Sequence, residues 1–135
     1  MYKGIRFIAL SLFAAPMFLV AQAGNVTLPQ DKGPGSINVS SYPAEMQKDY
    51  KVFTEKCSKC HTIARPINTT MAKADWERYV KRMMHKPGSG ISDSQGKTIF
   101  DFVAYDQENR KDKNPSAFFK FLTDDEIEKL KAQQH

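Results

Sequence analysis

The chain has 135 residues, 41% of them hydrophobic, with a formal charge of +5 and two cysteines. A length of this order makes one domain rather than two and allows only a modest core. Two of the basic residues, Lys3 and Arg6, lie in a leader without acids, so the folded part carries +3. That is too little for a nucleic-acid interface, and no such partner is expected.

Residues 1–23 read as an export signal. A basic start is followed by an apolar run from Phe7 to Val20 and by Ala21-Gln22-Ala23, a small-x-small cleavage pattern. Cleavage after Ala23 leaves 112 residues. The run is short for a membrane span and Pro16 interrupts it. No later segment is expected to cross a bilayer, and the expected location is the periplasm.

Residues 24–42 are polar and contain Pro29, Gly33, Pro34 and Gly35. They read as a flexible N-terminal arm. A single domain is expected over residues 43–135. Met46, Tyr50 and Phe53 recur at helical spacing and predict an amphipathic helix running into Cys57. Pro66 then forces a turn. A second helix is predicted from Asp75, read as its N-cap, through Met84. Lys86-Pro87-Gly88-Ser89-Gly90 breaks it. Ser92 and Gln95 read as a capping box for a third helix carrying Ile99, Phe102 and Val103. The charged stretch from Glu108 to Asn114 reads as a loop. Thr123 and Glu126 form a second capping box before a short final helix with Ile127 and Leu130. No strand alternation is evident, so the fold class is all-α.

Both cysteines fall in Cys57-Ser58-Lys59-Cys60-His61. Cys-x-x-Cys-His is the attachment pattern of a c-type haem. Thiols at i and i+3 share one side of a helical turn and can reach two vinyl groups on one porphyrin edge. The adjacent imidazole can take the iron, with its other ring N–H held by a carbonyl; that of Pro66 or its neighbour is the candidate acceptor. Zinc is a weaker reading, because only His85 and His135 remain to complete four ligands. A thioredoxin-type pair lacks its βαβ setting. A structural disulfide would close only a tiny loop.

A haem with one axial ligand needs a second. Met83, Met84 and His85 are the candidates, next to the breaker loop. Trp76, Val80 and Met83 share a helical stripe, so Met83 is preferred and Met84 is the alternative. Trp76, Tyr79 and Val80 are expected to pack on the macrocycle. Arg65, Arg78 and Arg82 are candidates for its propionates.

These residues resemble the small monohaem class I cytochromes c of bacterial periplasms, over roughly residues 43–106. The resemblance implies a compact fold of about three core helices around one haem c, here with an extra short C-terminal helix. It implies that Tyr50 and Phe53 lie near Phe102 and Val103. It also implies His61/Met83 ligation of the iron and electron transfer rather than enzymatic catalysis. A narrower likeness, from Trp76 to Met83 and on through Ser92, is to a subgroup with a Trp…Val…Arg-Met segment, whose methionine is the ligand.

The expected protein is thus a monomeric periplasmic electron carrier. Redox proteins would dock at the exposed haem edge, steered by Lys56, Lys59, Lys73 and Lys86. The alternatives are a permanently bound haem subunit of a dehydrogenase or reductase complex, joined through the aromatics at 118–122, and a haem enzyme or gas sensor with a labile sixth ligand.

Overall fold

The computed structural model describes residues 27–115 and 123–132. Residues 1–23, read from sequence as an export signal, and the aromatic stretch at 118–122 lie outside the described residues. Among the described residues the chain is all-helical, without strands. Its helices are α1 (Ala44–Cys57), α2 (Ala64–Ile67), α3 (Lys73–Met84), α4 (Asp93–Asp106) and α5 (Asp124–Ala132). A 3₁₀ turn spans Pro29–Lys32, and α4 runs on into a π turn, Gln107–Lys111. No described helix is long and apolar enough to cross a membrane.

The core lies where α1, α3 and α4 meet. Phe53, Trp76, Val80, Ile99, Phe102 and Val103 form one buried cluster with Ile67. Phe102 packs its ring, tilted, 5.0 Å from Phe53 and 5.2 Å from Tyr50, centroid to centroid. The expected meeting of the first and third predicted helices is therefore present. Full burial of Phe53 or Phe102 contributes about 1.5–3 kcal/mol each, and an aromatic pair adds about 1 kcal/mol. That is a large share of a small domain's stability.

Helix ends follow local chemistry. Gln95 N–H donates to Ser92 Oγ at 3.3 Å, and Ser92 N–H to Gln95 Oε1 at 3.1 Å, so the capping box starts α4 as the spacing predicts. Thr123 and Glu126 make the same reciprocal pair before α5. The breaker loop after α3 holds Gly88 at φ 78° and Gly90 at φ 58°, which other residues adopt at a cost. Ser89 Oγ donates to the Met84 carbonyl at 2.7 Å and closes the helix end.

Three expectations need correction. First, α3 starts at Lys73, not Asp75, with Ala72 as its N-cap residue. Asp75 sits inside the first turn, where its charge suits the helix dipole. Pro66, expected to mark a plain turn, sits within the single helical turn of α2, near a helix start where a missing N–H is tolerated.

Second, the arm is docked over its described part rather than loose. Arg65 donates from Nε and Nη2 to the two oxygens of Asp31, at 3.0 and 2.7 Å. Fully buried Asn68 donates to the carbonyls of Gln30 and Pro34, at 3.0 and 3.1 Å. Ile37 N–H donates to Tyr50 Oη at 3.2 Å.

Third, the charged stretch after α4 is no solvated loop through Lys111. It is a π turn closed by Asp112 N–H on the Gln107 carbonyl at 2.9 Å. Gln107 and Lys111 are buried, although one is polar and the other basic. Composition pointed outward; partners on the facing loop reverse the balance.

Candidate functional site

Cys57 is the last residue of α1, so the core packing of Phe53 one turn earlier positions it. It lines a narrow apolar crevice with Phe53, Pro66, Trp76, Tyr79, Val80, Met83, Ile91, Ile99 and Val103. Five residues named from sequence as haem neighbours or ligands (Pro66, Trp76, Tyr79, Val80 and Met83) therefore share walls with Cys57. Trp76 is fully buried and meets Tyr79 edge to face, 5.6 Å between centroids.

Cys60 and His61 lie outside this lining. Cys60 is exposed and His61 half-exposed, on the turn that follows α1. His61 Nδ1 is 3.0 Å from the Thr62 carbonyl. The Pro66 carbonyl, the expected acceptor, instead receives Lys111 Nζ at 3.3 Å. A bond from Nδ1–H to Thr62 leaves Nε2 free to bind a metal.

Met83 and Met84 point apart. Met84 packs over Gly96 of α4, where an added Cβ would stand 2.3 Å from its sulfur. It lines a separate groove with Glu77, Lys81, Asp93 and Phe100. Only Met83 shares the crevice with Cys57.

Burial pushes the Cys57 thiol up to about 12, with the nearby Cys60 adding to the shift. Such a thiol is not a ready nucleophile, unlike the low-pKa thiol of a redox pair. Burial likewise pushes Tyr79 up to about 12. The crevice thus disfavours charge on its own walls.

The arginines named for propionates have other partners. Arg65 holds Asp31 and Arg78 holds Asp75. The Arg82 guanidinium lies 5.7 Å from the Tyr79 ring centroid. The four lysines do not form one ring. Lys56 donates to the Gly90 carbonyl at 3.4 Å, and Lys59 also lies beside Gly90. Lys73 sits at the other end of α3 from Lys86, about 18 Å away along a 12-residue helix.

Sequence reasoning missed the clamp behind the crevice. Gln107 Oε1 accepts from Trp76 Nε1 at 3.2 Å and from Met71 N–H at 3.1 Å. Its Nε2 donates to Thr70 Oγ1 at 2.7 Å. Lys111 donates to the Pro66 and Thr69 carbonyls. Arg110 donates to both oxygens of Asp106 and to the Ile67 carbonyl at 2.9 Å. The π turn thereby holds the 66–71 loop from below. The missing N–H of Pro66 was the one local hint; the partners lie some forty residues away.

The donor chemistry fits a c-type haem: two thiols at i and i+3, an adjacent imidazole, and a thioether across an apolar space. The crevice encloses only about 10 Å³ of open space, far below small-ligand pockets (~300–1,000 Å³). Seating a tetrapyrrole requires its walls to part. Among the described residues, no three His, Cys, Asp or Glu side chains gather as a metal site of their own.

This chain matches no protein-family model, no curated protein and no solved structure.

Proposed function

We propose that this chain is an exported periplasmic electron carrier with one haem c, covalently held by Cys57 and Cys60 in a class I cytochrome c fold. His61 and Met83 would hold its iron. The observation that carries this reading is Cys57 and Met83 on the walls of one apolar crevice, with His61 four residues beyond the end of α1.

Haem supplies a one-electron iron couple. The chain's residues do the rest. The Thr62 carbonyl orients the His61 ring through Nδ1. Trp76, Val80, Ile99 and Val103 exclude water, which disfavours added positive charge and so raises the reduction potential. The neutral thioether of Met83 acts in the same direction. With His61 and Met83 both holding the iron, it would be closed to substrate. Lys59 and Lys86, both exposed, steer an acidic redox partner, and exchange with it slows as salt rises.

The secreted protein is expected to be coloured, with a mass exceeding that of the bare chain by one haem. Met83→Ala abolishes the weak far-red ferric band of iron–sulfur bonding, and Met84→Ala retains it. A colourless product with the bare-chain mass would overturn the proposal. Loss of the band in Met84→Ala alone would reassign the ligand.

A further inference from the structure

On the side to which Met84 turns, α3 and α4 border a groove. It consists of two adjoining hollows, of about 320 and 190 Å³, that share Phe100. Val80, Met84, Gly96 and Phe100 give the larger hollow an apolar floor. The smaller one reaches Met46 of α1 and Tyr105. Met84 and Phe100 are only half-buried, so part of this floor meets water. None of Cys57, Cys60, His61 and Met83 lines either hollow.

Two rows of charge rim these hollows, each with four-residue spacing. On α3, Lys73, Glu77 and Lys81 run plus, minus, plus. On α4, Asp93, Lys97 and Asp101 run minus, plus, minus. Residues four apart are neighbours on a helix surface, so each row is one ridge. Lys81 pairs with Glu77 at 2.7 Å within its helix, and Lys97 with Asp101 within its own. Among the described residues no ion pair crosses the groove from row to row, and none engages Lys73 or Asp93. Glu108 adds one more acid at the end of the smaller hollow.

We infer that this face binds a second copy of the same chain, in place of the monomer expected from sequence. The α3 ridge of each copy seats in the groove of the other, with Glu77 of each facing Lys97 of the other. Both sign patterns read the same in either direction, so the ridges match whichever way the second copy runs. A twofold contact makes the match twice. A uniformly acidic or basic partner would meet as many like charges as opposite ones along the two rows. Rows of side chains four apart are ridges that fit the grooves of a neighbouring helix. Lysine stems cover apolar floor while their heads stay at the rim. Carboxylates and ammoniums take more than one partner, so the pairs within each helix survive the contact. With α3 about 18 Å long, the face falls well short of the ~800 Å² per partner of a stable complex. The dimer is therefore weak and forms at high protein concentration.

The test is sedimentation velocity of the exported protein over a concentration series reaching the millimolar range. The wild type is expected to approach twice its monomer mass at low salt. Its dissociation constant should rise about tenfold by ~0.5 M salt, as exposed ion pairs are screened. Glu77→Lys and Lys97→Glu each set like charges at the centre of both matches, so each is expected to stay monomeric. An equimolar mixture of the two restores opposite charges at both centres and is expected to associate, as is the double variant. A merely structural role would not be rescued by mixing. A wild type that stays monomeric at millimolar concentration and low salt overturns the inference. So does association undiminished in both single variants. Saturable binding of anilinonaphthalene sulfonate by a chain that stays monomeric would give the larger hollow to a small apolar ligand and also overturn it.

Discussion

The sulfur of Met84 occupies the space that a side chain on Gly96 would need: a Cβ there would stand 2.3 Å from Sδ and 2.9 Å from Cε. This fit fastens α3 to α4 and turns Met84 away from the crevice that Met83 lines. Two adjacent methionines, chemically alike, thus do different work.

The fit has an energetic signature. In the wild-type background, Gly96→Ala pushes the flexible end of the half-buried Met84 aside, into the groove it lines, and overpacking of about 1 kcal/mol roughly cancels a helix gain of about 0.5–1 kcal/mol. In a Met84→Ala background the clash is gone, so the same substitution stabilises. Urea unfolding of the four proteins checks this through the coupling, expected at about 1 kcal/mol. Additive effects would show that Met84 does not pack there.

Gln107 is the hub of the clamp, and Gln107→Leu leaves the Trp76 indole N–H, Met71 N–H and Thr70 hydroxyl without their partner. An unsatisfied buried donor costs about 1–3 kcal/mol. A total loss of about 2–3 kcal/mol is expected, with a change in Trp76 fluorescence. A loss below about 0.5 kcal/mol, the range of a plain surface change, would remove Gln107 from the support of the loop.

Asp31 makes the docking of the arm acid-sensitive. The hydrogen bond from Arg65 holds its carboxyl below the usual 3.8. A depressed carboxylate stabilises the fold above its ordinary value, and that contribution is lost as pH falls through the folded-state value. Asp31→Asn is therefore expected to cost about 1 kcal/mol at neutral pH, as for a favourable bidentate pair. Stability curves of the two proteins should converge in acid below 3.8. Parallel curves would assign the docking to other contacts.

Lys111 has the opposite sign. Unfolded, it keeps its proton to about 10.5; folded, it releases it near 7. Between those values the unfolded chain binds more protons, so stability rises with pH. The wild type should gain on Lys111→Met as pH climbs through this window. A constant difference between them, measured by thermal unfolding at several pH values, would mean that the folded protein keeps the ammonium charged.

The local grammar was readable because its causes are local. Ser92 and Gln95, or Thr123 and Glu126, cap a helix with atoms three residues apart, and the Gly88–Gly90 loop stops α3 through its own backbone. The stripe of Trp76, Val80 and Met83 records which side of α3 leaves water. Where the reading failed, the partner was distant. Arg65 reads from sequence as a candidate for a propionate, because its partner Asp31 lies 34 residues earlier. The stretch from Glu108 to Asn114 reads as a loop because charge counts as polarity until, at Lys111, a carboxylate and two carbonyls enclose it.

The order of residues is enough to place two thiols and an imidazole together at a helix end and to confine the apolar side chains to three helices. It leaves open which methionine faces Cys57, and it hides a lysine behind the crevice wall. Those choices depend on how α3 rolls against α4 and on which loop the π turn grips. Periodicity along one helix is an angle about its own axis; the neighbour that axis meets is settled by packing, as where Met84 takes the space beside Gly96.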